Sequence, residues 1–204
     1  MEALSVARPE ERRPAEFRST GEGLIRDLLL ELGEDPNRDG LVRTPHRVWE
    51  SLSQLTDGYT QDALDVVGDA LFAEETDGMV TLQGVEFYSL CEHHLLPFFG
   101  HVHIGYLPDG QIVGLSKLPR LVDLFSHRLQ VQERLTTQIA DACEELLHPR
   151  GVAVVVEASH LCLMMRGVEK QGVRTVTTVM RGTFDTDPAL RRDFLDQVQH
   201  ATGG

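Results

Sequence analysis

The sequence predicts an α+β fold, and three patterns carry that expectation. Apolar residues recur at helical spacing near the start. β-branched runs bounded by turn residues fill the second half. Two amphipathic helical stretches lie between those runs. In chain order, Leu24, Ile25, Leu28, Leu29 and Leu32 define a helix from Gly21 that Gly33 ends. Thr44-Pro45 opens a second helix, with Thr as cap and Pro in the first turn, and Val48, Trp49, Leu52 and Leu55 as its apolar face. Met79 to Leu90 reads as a strand interrupted by Gly84, and Gly100 to Leu107 as the next. Pro108-Asp109-Gly110 turns the chain into Ile112 to Leu115. Leu118 to Leu129 is expected to be helical. Val131 to Leu147 is the clearest helix, with Val131, Leu135, Ile139, Ala142, Cys143 and Leu146 on one face. Gly151 to Met165 and Gly172 to Phe184 read as strands, and Asp187-Pro188 caps a last helix to Val198. The expected organisation is a disordered tail over 1–18, a helical segment over 19–78, and antiparallel strands packed on two helices over 79–204.

The 204 residues hold 19 Lys+Arg against 32 Asp+Glu, a formal net charge of -13. That balance excludes broad nucleic-acid or anionic-membrane binding, which needs clustered Lys and Arg. The acidity is local, however: residues 21–79 hold 14 acidic and four basic residues. The stretch Ser116 to Arg134 instead sets Lys117, Arg120, Arg128 and Arg134 against Asp123 and Glu133, so one anionic ligand in a pocket stays compatible with the composition. Three cysteines, an odd count, fit a reducing compartment where thiols serve as metal ligands or core residues. Residues 1–14 have no apolar run of the signal-peptide kind. The purest apolar stretch, Val152 to Val156, is far short of the ~20 residues that span a bilayer. The cytoplasm is the expected location.

Asp35 to Gly40 matches the opening of a calcium loop, but His46 stands where the bidentate Glu belongs, so a polar turn is expected. The strongest cluster is Cys91-Glu92-His93-His94, in which Cys91 and His94 have C-x2-H spacing. Downstream, His160 and Cys162 alternate along a strand, which would set them on one face about 6.6 Å apart. Thiolate and imidazole suit zinc, and three protein ligands with one open position is the catalytic arrangement. Cys91, His94 and Cys162 as ligands would leave His93 and His160 for proton transfer. The competing reading makes the cysteines core residues and the histidines satisfied polar groups. His101 and His103 are expected on an ordinary polar strand face, and Cys143 in the core. Gly114 to Arg120 runs from a strand end into a helix, where free N–H groups with Lys117 and Arg120 could hold an anion or simply face solvent. Arg166 either reaches the same place or lies on the surface. Glu133, after Gln132 at a helix start, is either stabilised by the helix dipole or accepts two hydrogen bonds from a purine.

Together these segments resemble the GTP cyclohydrolase I family: Cys91-Glu92-His93-His94, Gly114-Leu115-Ser116-Lys117, Gln130 to Thr136, and His160-Leu161-Cys162 with Arg166-Gly167. The resemblance spans roughly residues 21–200. It implies a tunnelling fold, in which subunits join their sheets into a barrel and two rings stack into a toroidal homodecamer with active sites at subunit interfaces. It implies Zn2+ held by Cys91, His94 and Cys162, with GTP as substrate. It makes Glu133, helped by Gln132, the guanine anchor. Lys117, Arg120 and Arg166 become the triphosphate clamp, Arg47 adds a phosphate contact, and Ser116 lies close to the ribose and phosphates. His160 serves the imidazole nitrogen of guanine and His93 the ribose. The implied reaction is hydrolysis at guanine C8 by a zinc-activated water with loss of formate, then ribose opening and an Amadori-type ring closure to 7,8-dihydroneopterin triphosphate. Two other classes fit the same fold: a non-catalytic pterin- or purine-binding paralogue, and an enzyme of deazaguanine synthesis that uses a cysteine nucleophile.

Overall fold

The structure, a computed structural model, describes residues 20–202; the tail expected over 1–18 lies outside them. The chain divides into two compact units between Thr60 and Gln61. The first holds α1 (Gly21–Glu31), α2 (Thr44–Gln54) and a 3-10 turn, Asp57–Thr60. Thr20 caps α1, its hydroxyl oxygen accepting from the Gly23 N–H at 3.2 Å. The cap expected of Thr44 does not form. Arg43 holds the N-cap position without a side-chain bond, and Thr44 is already helical, its hydroxyl directed to the Gly40 carbonyl. His46 on α2 lies 3.0 Å from Glu22 of α1 and 3.3 Å from Glu50, an exposed clasp between the two helices.

The second unit runs α3 (Ala63–Val67), β1 (Leu71–Ala73), β2 (Val80–Cys91), β3 (Pro97–Leu107), β4 (Gln111–Val113), α4 (Lys117–Ser126), β5 (Leu129–Gln130), α5 (Gln132–Leu147), β6 (Gly151–His160), α6 (Leu161–Met164), β7 (Thr175–Gly182), α7 (Thr183–Thr186) and α8 (Pro188–Thr202). Five strands form one sheet in the order β5-β2-β3-β6-β7, antiparallel except where β5 runs parallel to β2. β1 and β4 make a separate antiparallel pair. The mixed helix-and-antiparallel-strand architecture is the expected α+β class.

Alternation along the strands decides what each sheet face meets. Phe98, Val102, Ile104 and Tyr106 of β3 and Val152, Val154 and Val156 of β6 point to the face covered by α4 and α5, whose Leu118, Leu121, Leu135 and Ile139 are fully buried there. Each such side chain contributes about 1.5–3 kcal/mol by leaving water. Cys143 is buried in this core, and burial pushes its thiol up to about 12, as expected of a structural cysteine. The opposite face packs Leu107, Ala153 and Val155 against Phe184, Phe194 and Val198. Gly105 makes room for α8 on that face, since a Cβ there would sit 2.8 Å from the Phe194 ring.

Two expected strands are shorter than the sequence suggests. The run from Gly151 ends as a strand at His160, and Leu161–Met164 turns helical. The run from Gly172 is a strand only over Thr175–Gly182, with Thr183–Thr186 a helical turn. The polar-face reading of His103 is also corrected. It is 0% exposed, because it points to the α8 side of β3 rather than to water. Its Nδ1 accepts from the Gly84 N–H at 3.3 Å. Gly84 stands at a register shift in β2 with φ 69, a left-handed conformation that suits glycine and turns its N–H toward the imidazole.

Candidate functional site

The ends of three elements build the site. β2 ends at Cys91, and the turn to β3 curls back on itself: the Cys91 carbonyl accepts from the N–H groups of His94 at 3.2 Å and Leu95 at 2.8 Å. Leu95 takes a positive φ of 55 to close that turn, a conformation that a non-glycine residue holds only where its surroundings impose it. The curl brings the His94 Nδ1 to 3.7 Å and the His93 Nδ1 to 3.8 Å from the Cys91 sulfur. On the neighbouring side, β3 pairs with β6 so that Phe98 faces His160. The helical turn α6 then swings Cys162 toward Cys91. One donor atom from each of Cys91, His94 and Cys162 lies within 4.8 Å of the other two, a potential metal site. Cys162 thus reaches the cluster through α6, not by sharing a strand face with His160 as the alternation suggested.

Electrostatics at the cluster follow from burial. Cys91 is 6% exposed. Burial raises the Cys162 thiol pKa, with the neighbouring Cys91 acting in the same direction and Arg166 opposing it. Two thiols and an imidazole are the soft and borderline donors that zinc takes, and the Arg166 field favours thiolate. Burial lowers the His160 pKa, with Glu133 opposing it. Glu133 is exposed in the first turn of α5, where the helix dipole favours its charge.

Gln132 beside it is buried rather than open. Its amide nitrogen lies 3.0 Å from the Val156 and Thr175 carbonyl oxygens, and its amide oxygen lies 2.8 Å from His160 Nε2. Sequence reasoning gave no role to Glu92 and Arg134, although both stand inside the quoted motifs. Arg134 donates through both terminal nitrogens to the Glu92 carboxylate. It thereby ties the cysteine turn to α5 and holds the Glu92 carboxyl below its usual range. The signal in the sequence was the opposite charges of the two residues, with nothing to pair them before the fold was known.

The basic residues divide. Arg166 follows α6, near Cys162. Ser116, Lys117 and Arg120 sit at the start of α4, where Ser116 holds the N-cap position without a side-chain bond. The far end of α4 adjoins the cluster, since the Ser89 hydroxyl donates to the Ser126 carbonyl at 2.6 Å, two residues before Cys91. Ten helical residues span about 15 Å. The start of α4 lies toward the other end of the sheet. β4 ends there at Val113, whose N–H donates to the Tyr106 hydroxyl. Tyr106 pairs with Val80, the first residue of β2, whereas Cys91 is its last. The Lys117 ammonium donates to the Val66 carbonyl at 3.0 Å. A single chain therefore holds the Cys-His-Cys cluster and the Ser116-Lys117-Arg120 group at opposite ends of α4. Arg47 is exposed on α2, in the N-terminal unit.

Comparison with known proteins gives one answer. The family model for GTP cyclohydrolase I matches residues 22–199. The chain is 54% identical over 178 residues to GTP cyclohydrolase 1 of Leptospira biflexa, covering 87% of this chain and 97% of that one. It is 54% identical over 183 residues to GTP cyclohydrolase 1 of Deinococcus radiodurans, covering 90% and 85%. It is 55% identical over 171 residues to GTP cyclohydrolase 1 of Chlorobaculum tepidum, covering 84% and 76%. The Cys-His-Cys cluster stands within the matched residues, beside two further histidines and an exposed helix-start carboxylate. The chain belongs to the GTP cyclohydrolase I family.

Proposed function

We propose that this chain hydrolyses GTP to 7,8-dihydroneopterin triphosphate and formate. The observation that carries the reading is the convergence of Cys91, His94 and Cys162 beside His160 and Glu133 in a chain of this family. Zinc fits the donor set, two sulfurs and one imidazole nitrogen within 4.8 Å. Bound there, it supplies the Lewis acidity that makes water nucleophilic at neutral pH. Glu133 accepts hydrogen bonds from guanine N1–H and the amino group, which selects guanine over adenine because adenine presents neither donor to that carboxylate. As water adds at C8, His160 supplies a proton to the ring nitrogen. The ring then opens, and a second hydrolysis releases C8 as formate. His93, exposed beside the cluster, exchanges a proton at the ribose oxygen as the sugar opens. The Amadori-type rearrangement and ring closure follow on the same bound molecule.

Lys117, Arg120 and Arg166 neutralise the triphosphate, with Ser116 close to ribose and phosphate and Arg47 as a further phosphate contact. The separation along α4 supports a site completed by a second copy, with the start of α4 from one chain meeting the cluster of its neighbour. The eight-residue edge strand β7 supports assembly too, because an unpaired edge of that length invites another strand. A toroidal homodecamer in the cytoplasm is the assembly we propose. Among the described residues no helix is long and apolar enough to cross a membrane. The direct test incubates purified, zinc-loaded protein with GTP and follows formate and, after oxidation, pterin fluorescence. No product at neutral pH would sink the reading.

A further inference from the structure

Gln132 opens α5, and only 1% of its surface is exposed. Its amide nitrogen faces three acceptors, the Val156 carbonyl at 3.0 Å, the Thr175 carbonyl at 3.0 Å and the Thr177 hydroxyl at 3.2 Å. Carbonyl oxygens only accept, so the amide NH2 must be the group that faces them. The amide oxygen is thereby turned to His160 Nε2, 2.8 Å away. An amide oxygen also only accepts, so Nε2 of His160 carries a hydrogen. The Phe98 ring lies against the imidazole at 4.7 Å with 2° between the planes, which holds the ring from tipping. Nδ1 has no hydrogen-bond partner among the described residues. The buried polar atoms without a partner there are His103 Nε2 and Gln130 Oε1, so Nδ1 is open to solvent.

We infer that Gln132 is a positioning residue, which fixes His160 with hydrogen on Nε2 and leaves Nδ1 as the nitrogen that exchanges a proton with the guanine ring. The inference rests on the reading above and deepens it. One proton passes between Nδ1 and the ring nitrogen's lone pair, while Nε2 keeps its own hydrogen throughout. It departs from the expectation that Gln132 touches guanine, for a buried amide whose N–H groups are both taken has no donor left for a base.

The zinc-loaded protein, isotopically labelled in its histidine ring nitrogens, tests this by NMR without any substrate. His160 is assigned by the signals missing from His160→Asn. At a pH where the ring is neutral, Nε2 should give the pyrrole-like resonance and Nδ1 the pyridine-like one. The reverse pattern would overturn the inference. A second measurement uses Gln132→Met, which keeps side-chain length and loses both sets of bonds. The expected loss is about 10–100-fold in kcat, the usual cost of removing an orienting partner. KM for GTP should stay within about twofold, since no substrate contact is removed. A raised KM with kcat kept would make Gln132 a guanine contact and overturn the inference. Failure of the parent protein to release formate from GTP would overturn the functional reading instead, and the nitrogen pattern is read independently of it.

Discussion

Replacing His103 by methionine should flatten the acid side of the stability profile. The imidazole is fully buried, its Nδ1 accepts from the Gly84 N–H, and its Nε2 has no partner among the described residues. Burial pushes its pKa below the usual 6.5, His101 acts in the same direction, and Glu157 opposes them. The sign follows from linkage. A histidine depressed in the folded state stays neutral there, while the unfolded chain takes up a proton as pH falls below 6.5. Stability is therefore greatest above 6.5 and declines below it by up to about 1.4 kcal/mol per pH unit, until the folded pKa is passed. Methionine has no such proton. At neutral pH the net change should be small: losing the orphan N–H recovers about 1–3 kcal/mol, and losing the Gly84 bond returns about 0.5–1.5 kcal/mol. The readable quantity is the difference in slope, because the other histidines are common to both proteins. Urea unfolding of parent and variant, followed by circular dichroism in steps from about pH 7.5 to 5, measures it. Parallel profiles would refute the buried, neutral imidazole.

Cys162→Ala should lower zinc per chain and abolish formate release, since two donors remain of three; metal analysis showing the parent stoichiometry would contradict the ligand set. Chains carrying Lys117→Ala and chains carrying Glu133→Gln should each be inactive alone. Unfolded together and refolded as a mixture, they should regain roughly a quarter of parental activity, because sites shared between two copies reassemble with both groups intact. No regain would place each site within one chain. Glu92→Gln and Arg134→Met should show a small but measurable coupling in a double-mutant cycle on urea stability, one that weakens with added salt because both side chains are partly exposed. A coupling of zero would mean the pair does not fasten the turn to α5.

Motif spacing and strand periodicity carried the sequence reading a long way, and the places where it stopped have physical causes. α5 was legible because its apolar residues repeat at 3.6 and its polar start is abrupt. The Cys162 placement was misread because Ser159 to Met165 is apolar enough for either a strand or a helical turn, and only pairing with β3 shows where the strand ends. β1, three residues long, has no signal of its own and exists by pairing with β4. His103 looked polar beside His101, yet the two differ in burial: His103 is fully buried and takes the Gly84 N–H, while His101 is only half-buried. The hydrogen-bond network of Gln132 joins residues up to 45 positions away, and no local pattern encodes it.

The two cysteines of the cluster lie 71 positions apart, one at the end of β2 and the other in α6 just after β6, the two strands that flank β3. Closing a loop of that length in a flexible chain costs about 4 kcal/mol before any donor meets another. Here the finished sheet bears that cost, with Phe98 and Val156 buried beneath the cluster's strands. A metal held by these three donors would therefore enter a place the fold has already shaped. Chelation should then leave a folded chain awaiting its ion, unlike the small zinc modules that come apart when stripped.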